Sequence, residues 1–291
     1  MAKIGVVKNS YHPPGWNRCD WSNRMRDAID QLGHDLEFFD ENSLINSQTL
    51  FYLCRLNHDM GPKNSEQLSK NLEQIALFFE TNDSFLFPDS YSYRLYENKK
   101  NINSLFENTG VKHPRSFYCT TKEAALLVEI EYPVVIKHPY SCASNFMQQA
   151  NNRLEYESAI NSFFSNNNEC IIQRKISFTR EARLTFVGDK VIHGYFRVKP
   201  NKESMSGSTK FGSVCDFNID LDKMSKHIKE FRKLSNINIG AVDVAWENDD
   251  MDSDPYQVHL AMLINHLKAQ KNLKKRKKSS SLTCTRKLLT F

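Results

Sequence analysis

The chain has 291 residues, 40% of them hydrophobic and 25% charged, a globular composition long enough for two or three lobes. Its formal net charge of +5 is carried by one end: nine Lys and Arg fall between Lys268 and Lys287, and taking nine from 39 leaves 30 basic against 34 acidic residues. That balance excludes a basic nucleic-acid-binding body, and no apolar run reaches the roughly 18–20 residues of a membrane span. Seven cysteines without a C-x-x-C pair read as reduced thiols of a cytoplasmic protein, with neither a zinc site nor a disulfide framework.

Taken in order, the first 90 residues alternate strand and helix. Residues 3–8 form an apolar strand rather than a signal peptide. A helix is predicted around Asn23–Leu32, then strands at Leu36–Phe39 and Thr49–Arg55. Leu68, Leu72, Ile75, Ala76 and Phe79 recur at helical spacing over residues 65–79. This pattern implies a small parallel sheet.

A helix over residues 96–106 is stopped by Gly110 and Pro114. Strands follow at residues 132–137 and 170–176. Gly188-Asp189 joins two alternating runs, 182–187 and 191–198, into a hairpin. Residues 223–234 read as a helix and 239–246 as an apolar strand that holds Asp243. A lone carboxylate buried there costs several kcal/mol unless a metal or a cation partners it.

Glu97–Pro114 (with Lys99, Leu105 and Gly110), Tyr132–Lys137, Ile171–Ile176, Glu181–Arg183 and Gly-Ala-Val-Asp at 240–243 follow one another at intervals that resemble the ATP-grasp domain. The likeness is to the branch containing the ribosomal-protein glutamate ligases, and it covers roughly residues 95–258. It implies an α/β fold: a small N-terminal parallel domain over 1–92, an ATP-grasp domain of two α+β lobes over 93–258, and an atypical basic tail over 259–291.

The activity implied is Mg-ATP-dependent ligation of a small-molecule or peptide carboxylate to an amine or similar nucleophile, through an acyl phosphate. Lys99 and Lys137 would meet the nucleotide phosphates, with Ser141 and Ser144 in the intervening loop. The stretch Gln173, Arg174, Lys175 and Ile176 would read adenine through its backbone, with Glu181 near the ribose. Arg183, Arg197, Lys199 and Lys210 would hold the acceptor carboxylate or the transferred phosphate. Asp243 would bind Mg²⁺, with Gln257 at the second metal position. Arg55 and the loop Tyr11–Trp21, at strand ends, are where substrate would bind.

Two features depart from the family. The loop after Lys137 has no glycine to bring its backbone against phosphate, and Gln257-Val258-His259 stands where acidic and amide ligands are expected. From Val258 the sequence reads as out of frame; the alternative is an amphipathic helix over Gln257–Leu267 with a solvated tail. A second function class is a non-catalytic nucleotide-binding protein. A third takes the seven basic residues among Lys268–Lys278 as a tether to nucleic acid or an anionic membrane.

Overall fold

A computed structural model describes residues 3–8, 30–40, 50–53, 62–81, 89–95, 98–141 and 146–261. The chain divides into two units, Met1–Met60 with Gln67–Tyr96 and Ala261–Phe291 in one, Gly61–Glu66 with Glu97–Leu260 in the other.

In the first unit β1 (Lys3–Lys8) lies between β2 (Asp35–Asp40) and β3 (Leu50–Leu53), paired in parallel with both. Helix α1 (Pro62–Thr81) opens on a proline, whose missing N–H is one the first turn would leave unbonded anyway. The short α2 (Ser90–Arg94) is tied to it by Arg94 on Glu73 at 3.3 Å and by Ser90 N–H on the Glu80 carboxylate at 3.1 Å. The predicted Asn23–Leu32 helix lies largely outside the described residues, as do Arg55 and Tyr11–Trp21.

The second unit contains two antiparallel sheets. Helix α3 (Lys99–Thr109) leads in, capped by Asn98, whose side chain accepts the Asn101 N–H, and closed by Gly110 at φ 72°. The first sheet runs β4 (Ser116–Cys119), β7 (Cys170–Arg174), β5 (Val134–Lys137), β6 (Met147–Ala150). Two helices cover one face of it, α4 (Lys122–Leu126) and α5 (Arg153–Phe164). Asn152 caps α5, and Glu155 reaches back to the Asn151 N–H at 2.8 Å.

Strand pleat sorts the residues of that sheet. Val134, Ile136, Cys170 and Ile172 join Tyr156, Ile160 and Phe163 in the helix-side core. Val135, Lys137, Ile171 and Gln173 take the other face. Cys119 and Cys170 stand opposite each other in register as hydrogen-bonded free thiols.

The second sheet runs β10 (Val214–Asp216), β9 (Lys190–Val198), β8 (Arg180–Val187), β11 (Ile239–Ala245), β12 (Tyr256–Ala261). The β8–β9 hairpin turns at Gly188, φ 55°, as Gly-Asp predicts. Helix α6 (Leu221–Ser235), capped by Asp220 and ended by Asn236 in the left-handed region, packs on β9. Gly194 permits that approach, since a Cβ there would meet the Leu221 and Leu184 methyls at 3.1 and 3.2 Å. Phe231 of α6 meets Phe106 of α3 and Phe186 of β8 edge-on.

The predicted strands and hairpin are present within a few residues of their expected bounds. The Gln257–Leu267 helix is not: residues 256–261 are strand β12, hydrogen-bonded beside β11, and the sheet partner decides a pattern that local periodicity reads as helix. α2, β4, α4, β6, α5, β10 and β12 are additions to the predicted set. Residues 262–291 lie outside the described residues.

Candidate nucleotide site

Two groups of polar side chains line the non-helix faces of these sheets. On the first sheet, register puts Lys137 opposite Ile171 and Gln173 opposite Val135. From this shared face Lys137 Nζ donates to Gln173 Oε1 at 2.7 Å, and Gln173 Nε2 donates to Ser116 Oγ at 2.7 Å. Burial, reinforced by the charge of Lys99, pulls the Lys137 ammonium down to about 7. A buried cation whose hydrogen-bond partner is a neutral amide, with a second cation close by, is a site that an anion completes.

The loop entered by Lys137 is held to the start of α3, where Lys99 N–H donates to Pro139 O at 3.0 Å. Ser141 is buried, and its hydroxyl donates to His138 O at 2.8 Å, folded onto its own loop. Ser144 lies outside the described residues.

On the second sheet, Glu181, Arg183 and Thr185 of β8 share a face with Asp243 of β11 and with Arg197, Tyr195 and His193 of β9. Leu184, Phe186, Val242 and Val244 take the helix side. Asp243, 3% exposed, accepts from Arg183 Nη1 at 2.8 and 2.7 Å and from Arg197 Nη2 at 2.5 Å. Arg197 also meets Glu181 at 2.6 Å. Two guanidiniums thus surround the Asp243 carboxylate in this structure.

Burial raises the Glu181 carboxyl, Arg197 opposing and Asp243 adding to the rise. For Arg197 burial works against the charge, but Asp243 and Glu181 outweigh it and hold the guanidinium protonated. Gly207 lies over Glu181 so closely that a Cβ there would stand 2.1 Å from Oε1.

Lys199 extends this group. It is 5% exposed, lies 4.1 Å above the Phe178 ring, and donates to Ser204 O at 3.1 Å. Burial, then Lys175, lowers its ammonium to about 8. Lys210 sits in the one-turn helix Thr209–Phe211.

The segment joining the sheets is occupied by structural contacts. Arg174 N–H donates to Arg115 O at 2.9 Å and Lys175 N–H to Pro133 O at 2.8 Å. The Arg174 guanidinium grips Glu247 at 2.7 and 3.2 Å and Tyr256 at 3.3 Å, so its side chain pins β12 to the first sheet. Lys175 Nζ donates to Gln149 and to Glu203 O, at 2.8 and 3.0 Å. Ile176 is buried against Phe178 and Ala245.

Of the two predicted Mg²⁺ ligands, Asp243 has both carboxylate oxygens engaged by guanidiniums. Gln257 is 7% exposed, and its Oε1 has no hydrogen-bond partner among the described residues. A buried acceptor of that kind suits a hard cation. No group of three or more His, Cys, Asp or Glu among the described residues could hold a metal.

Glu169, which sets a carboxylate beside the buried imidazole of His138 next to Lys137, is not among the predicted site residues. Their juxtaposition depends on pairing between β5 and β7, which no local motif announces.

Neither a protein-family model nor a curated protein matches the chain. Solved structures do. A RimK-domain ATP-grasp protein from Sphaerobacter thermophilus DSM 20745 superposes with a TM-score of 0.64 at 13% identity, covering 98% of both chains. D-cycloserine synthetase DcsG gives 0.65 at 14%, again over 98% of each. A RiPP-associated ATP-grasp ligase from Chryseobacterium gregarium, solved with ADP and a leader and core peptide, gives 0.61 at 14%, covering 100% of this chain and 97% of that one. At such identities the likeness is one of fold: this chain has the ATP-grasp fold.

Proposed function

We propose that the chain binds Mg-ATP and ligates a carboxylate to an amine or similar nucleophile through an acyl phosphate. The observation that carries the reading is the buried Lys137, charge-depressed, bonded to neutral Gln173 and repelled by Lys99. The β- and γ-phosphates of a nucleotide supply the missing negative charge. Structural neighbours are ATP-grasp ligases, which supports ATP-dependent ligation in general. The carboxylate, small-molecule or peptide, is the part assigned by analogy.

In this scheme Lys137 and Lys99 bind the phosphates. Arg183, Arg197, Lys199 and Lys210 hold the acceptor carboxylate and stabilise the charge that develops on the transferred group. A carboxylate oxygen attacks the γ-phosphorus and the bond to the ADP oxygen breaks. The nucleophile then attacks the acyl carbon, loses its proton, and expels phosphate. Mg²⁺, held by Asp243 and Gln257, would neutralise the β- and γ-oxygens.

The test replaces the unidentified amine with hydroxylamine and offers a panel of carboxylates. Hydroxamate formation coupled to ADP release supports the reading. ADP binding with no hydroxamate or ADP release from any carboxylate favours the second reading, a non-catalytic nucleotide-binding protein. What speaks for that alternative is Asp243 shared between two guanidiniums with a neutral Gln257 as second oxygen.

A further inference from the structure

The loop after Lys137 opens His-Pro-Tyr-Ser, and its first turn is tied together through one residue. Tyr140 N–H donates to His138 Nδ1 at 3.2 Å; Ser141 donates to His138 O through its N–H at 3.3 Å and its hydroxyl at 2.8 Å. His138 N–H reaches across the base of the loop to Phe146 O at 3.4 Å. The imidazole is buried, 4% exposed. Because Nδ1 accepts, the ring proton sits on Nε2, which lies 3.8 Å from Glu169 Oε1. A second proton on Nδ1 would face the Tyr140 N–H and break that bond.

The charged and titratable groups around His138 come from five elements. Glu169, before β7, and Glu66, in α1, favour the cation; Lys99 of α3 opposes it; burial is the largest influence and holds the ring below its ordinary value. Lys137 precedes it on β5, the Tyr140 ring stands 6.2 Å away, and Tyr118 of β4 donates to Glu169.

We infer that His138 is a positioning residue for the nucleotide site proposed above: its ring acceptor fixes the turn beside Lys137 and Lys99, and acid releases that turn. The inference rests on the nucleotide reading. It assigns to a side chain the shaping that a glycine-rich backbone would otherwise provide, and it ties nucleotide affinity to the protonation of one imidazole.

The experiment is calorimetric titration of the full chain with ADP and Mg²⁺ between about pH 5 and 8, the range in which histidine titrates. His138→Asn keeps an oxygen able to accept the N–H two residues on, and it does not titrate. At about pH 8 it should bind ADP within a few-fold of the natural chain, whereas His138→Ala loses about tenfold, the worth of one buried hydrogen bond. Towards pH 5 the natural chain should lose about tenfold more affinity than His138→Asn, the effect of about one unit of titration. The phosphates of ADP titrate equally for both, so the ratio is what is read.

A ratio constant with pH, or His138→Ala binding like the natural chain, overturns the inference while leaving the nucleotide reading intact. Absence of ADP binding by the natural chain overturns both. If His138→Asn does not fold, Glu169→Gln decides: removing the carboxylate should move the acid loss to lower pH, and an unmoved profile overturns the role.

Discussion

Lys137 Nζ and Gln173 Oε1 meet at 2.7 Å between neighbouring strands, an amine held by a neutral amide. Burial and Lys99 bring the lysine down to about 7, while the unfolded chain keeps the ordinary value near ~10.4. Between those values the unfolded state binds the extra proton, so stability of the nucleotide-free protein rises with pH. Thermal midpoints followed from about pH 6 to 9.5 should climb by several degrees above pH 7. Lys137→Met should flatten most of that climb and weaken ADP binding by at least about tenfold, the loss of one charge-assisted contact. Normal ADP binding by the variant would remove Lys137 from the site.

Arg183 and Asp243 are buried on facing strands and bonded through both carboxylate oxygens. Removing Asp243 strands the Arg183 charge, so Asp243→Asn should cost about 3–5 kcal/mol in denaturant unfolding, whereas Arg183→Ala leaves the carboxylate its Arg197 partner and should cost less. The double variant should cost clearly less than the sum of the two, since the stranded charge is gone. Strict additivity in the cycle would show that the pair does not act as a unit.

Gln257 Oε1 is buried without a partner among the described residues. Gln257→Glu places a negative oxygen there, and the Mg²⁺ concentration needed to half-saturate ADP binding should fall several-fold. Titration of Mg²⁺ at fixed ADP measures it; an unchanged midpoint places the ion elsewhere.

Gly207 faces the Glu181 carboxylate, itself gripped by Arg197 at 2.6 Å. Because that carboxylate cannot swing aside cheaply, Gly207→Ala should destabilise the protein by about 1–3 kcal/mol, the usual cost of overpacking. An unfolding midpoint equal to that of the natural chain would contradict the close approach.

Much of this frame was legible from the chain. The Gly188-Asp189 hairpin, the Gly110 stop and the strands around Lys137 and Asp243 follow from local signals: turn chemistry, left-handed caps and apolar runs. Asp243 stood out because an acid in an apolar strand demands a partner. Which partner it takes was not legible, because Arg183 and Arg197 reach it only once β8 brings them into register.

β12 shows the opposite limit. Gln257 was placed at a metal position by order along the chain, yet the local pattern from there onward also reads as a helix. Only the neighbouring β11 selects the strand. The Arg174–Glu247 grip was hidden for the same reason, as its partners are 73 residues apart.

In the second sheet, residues 182, 184 and 186 of β8 belong to the helix side and 181, 183 and 185 to the charged side. The two sets do separate physical work, packing on one side and ion pairing on the other. Exchanging an odd-numbered residue of β8 perturbs the buried ion pairs and leaves the helix-side packing untouched. A single-residue deletion in β8 upstream of the hairpin turn has no such latitude, because it would trade one set for the other and place Arg183 among phenylalanines.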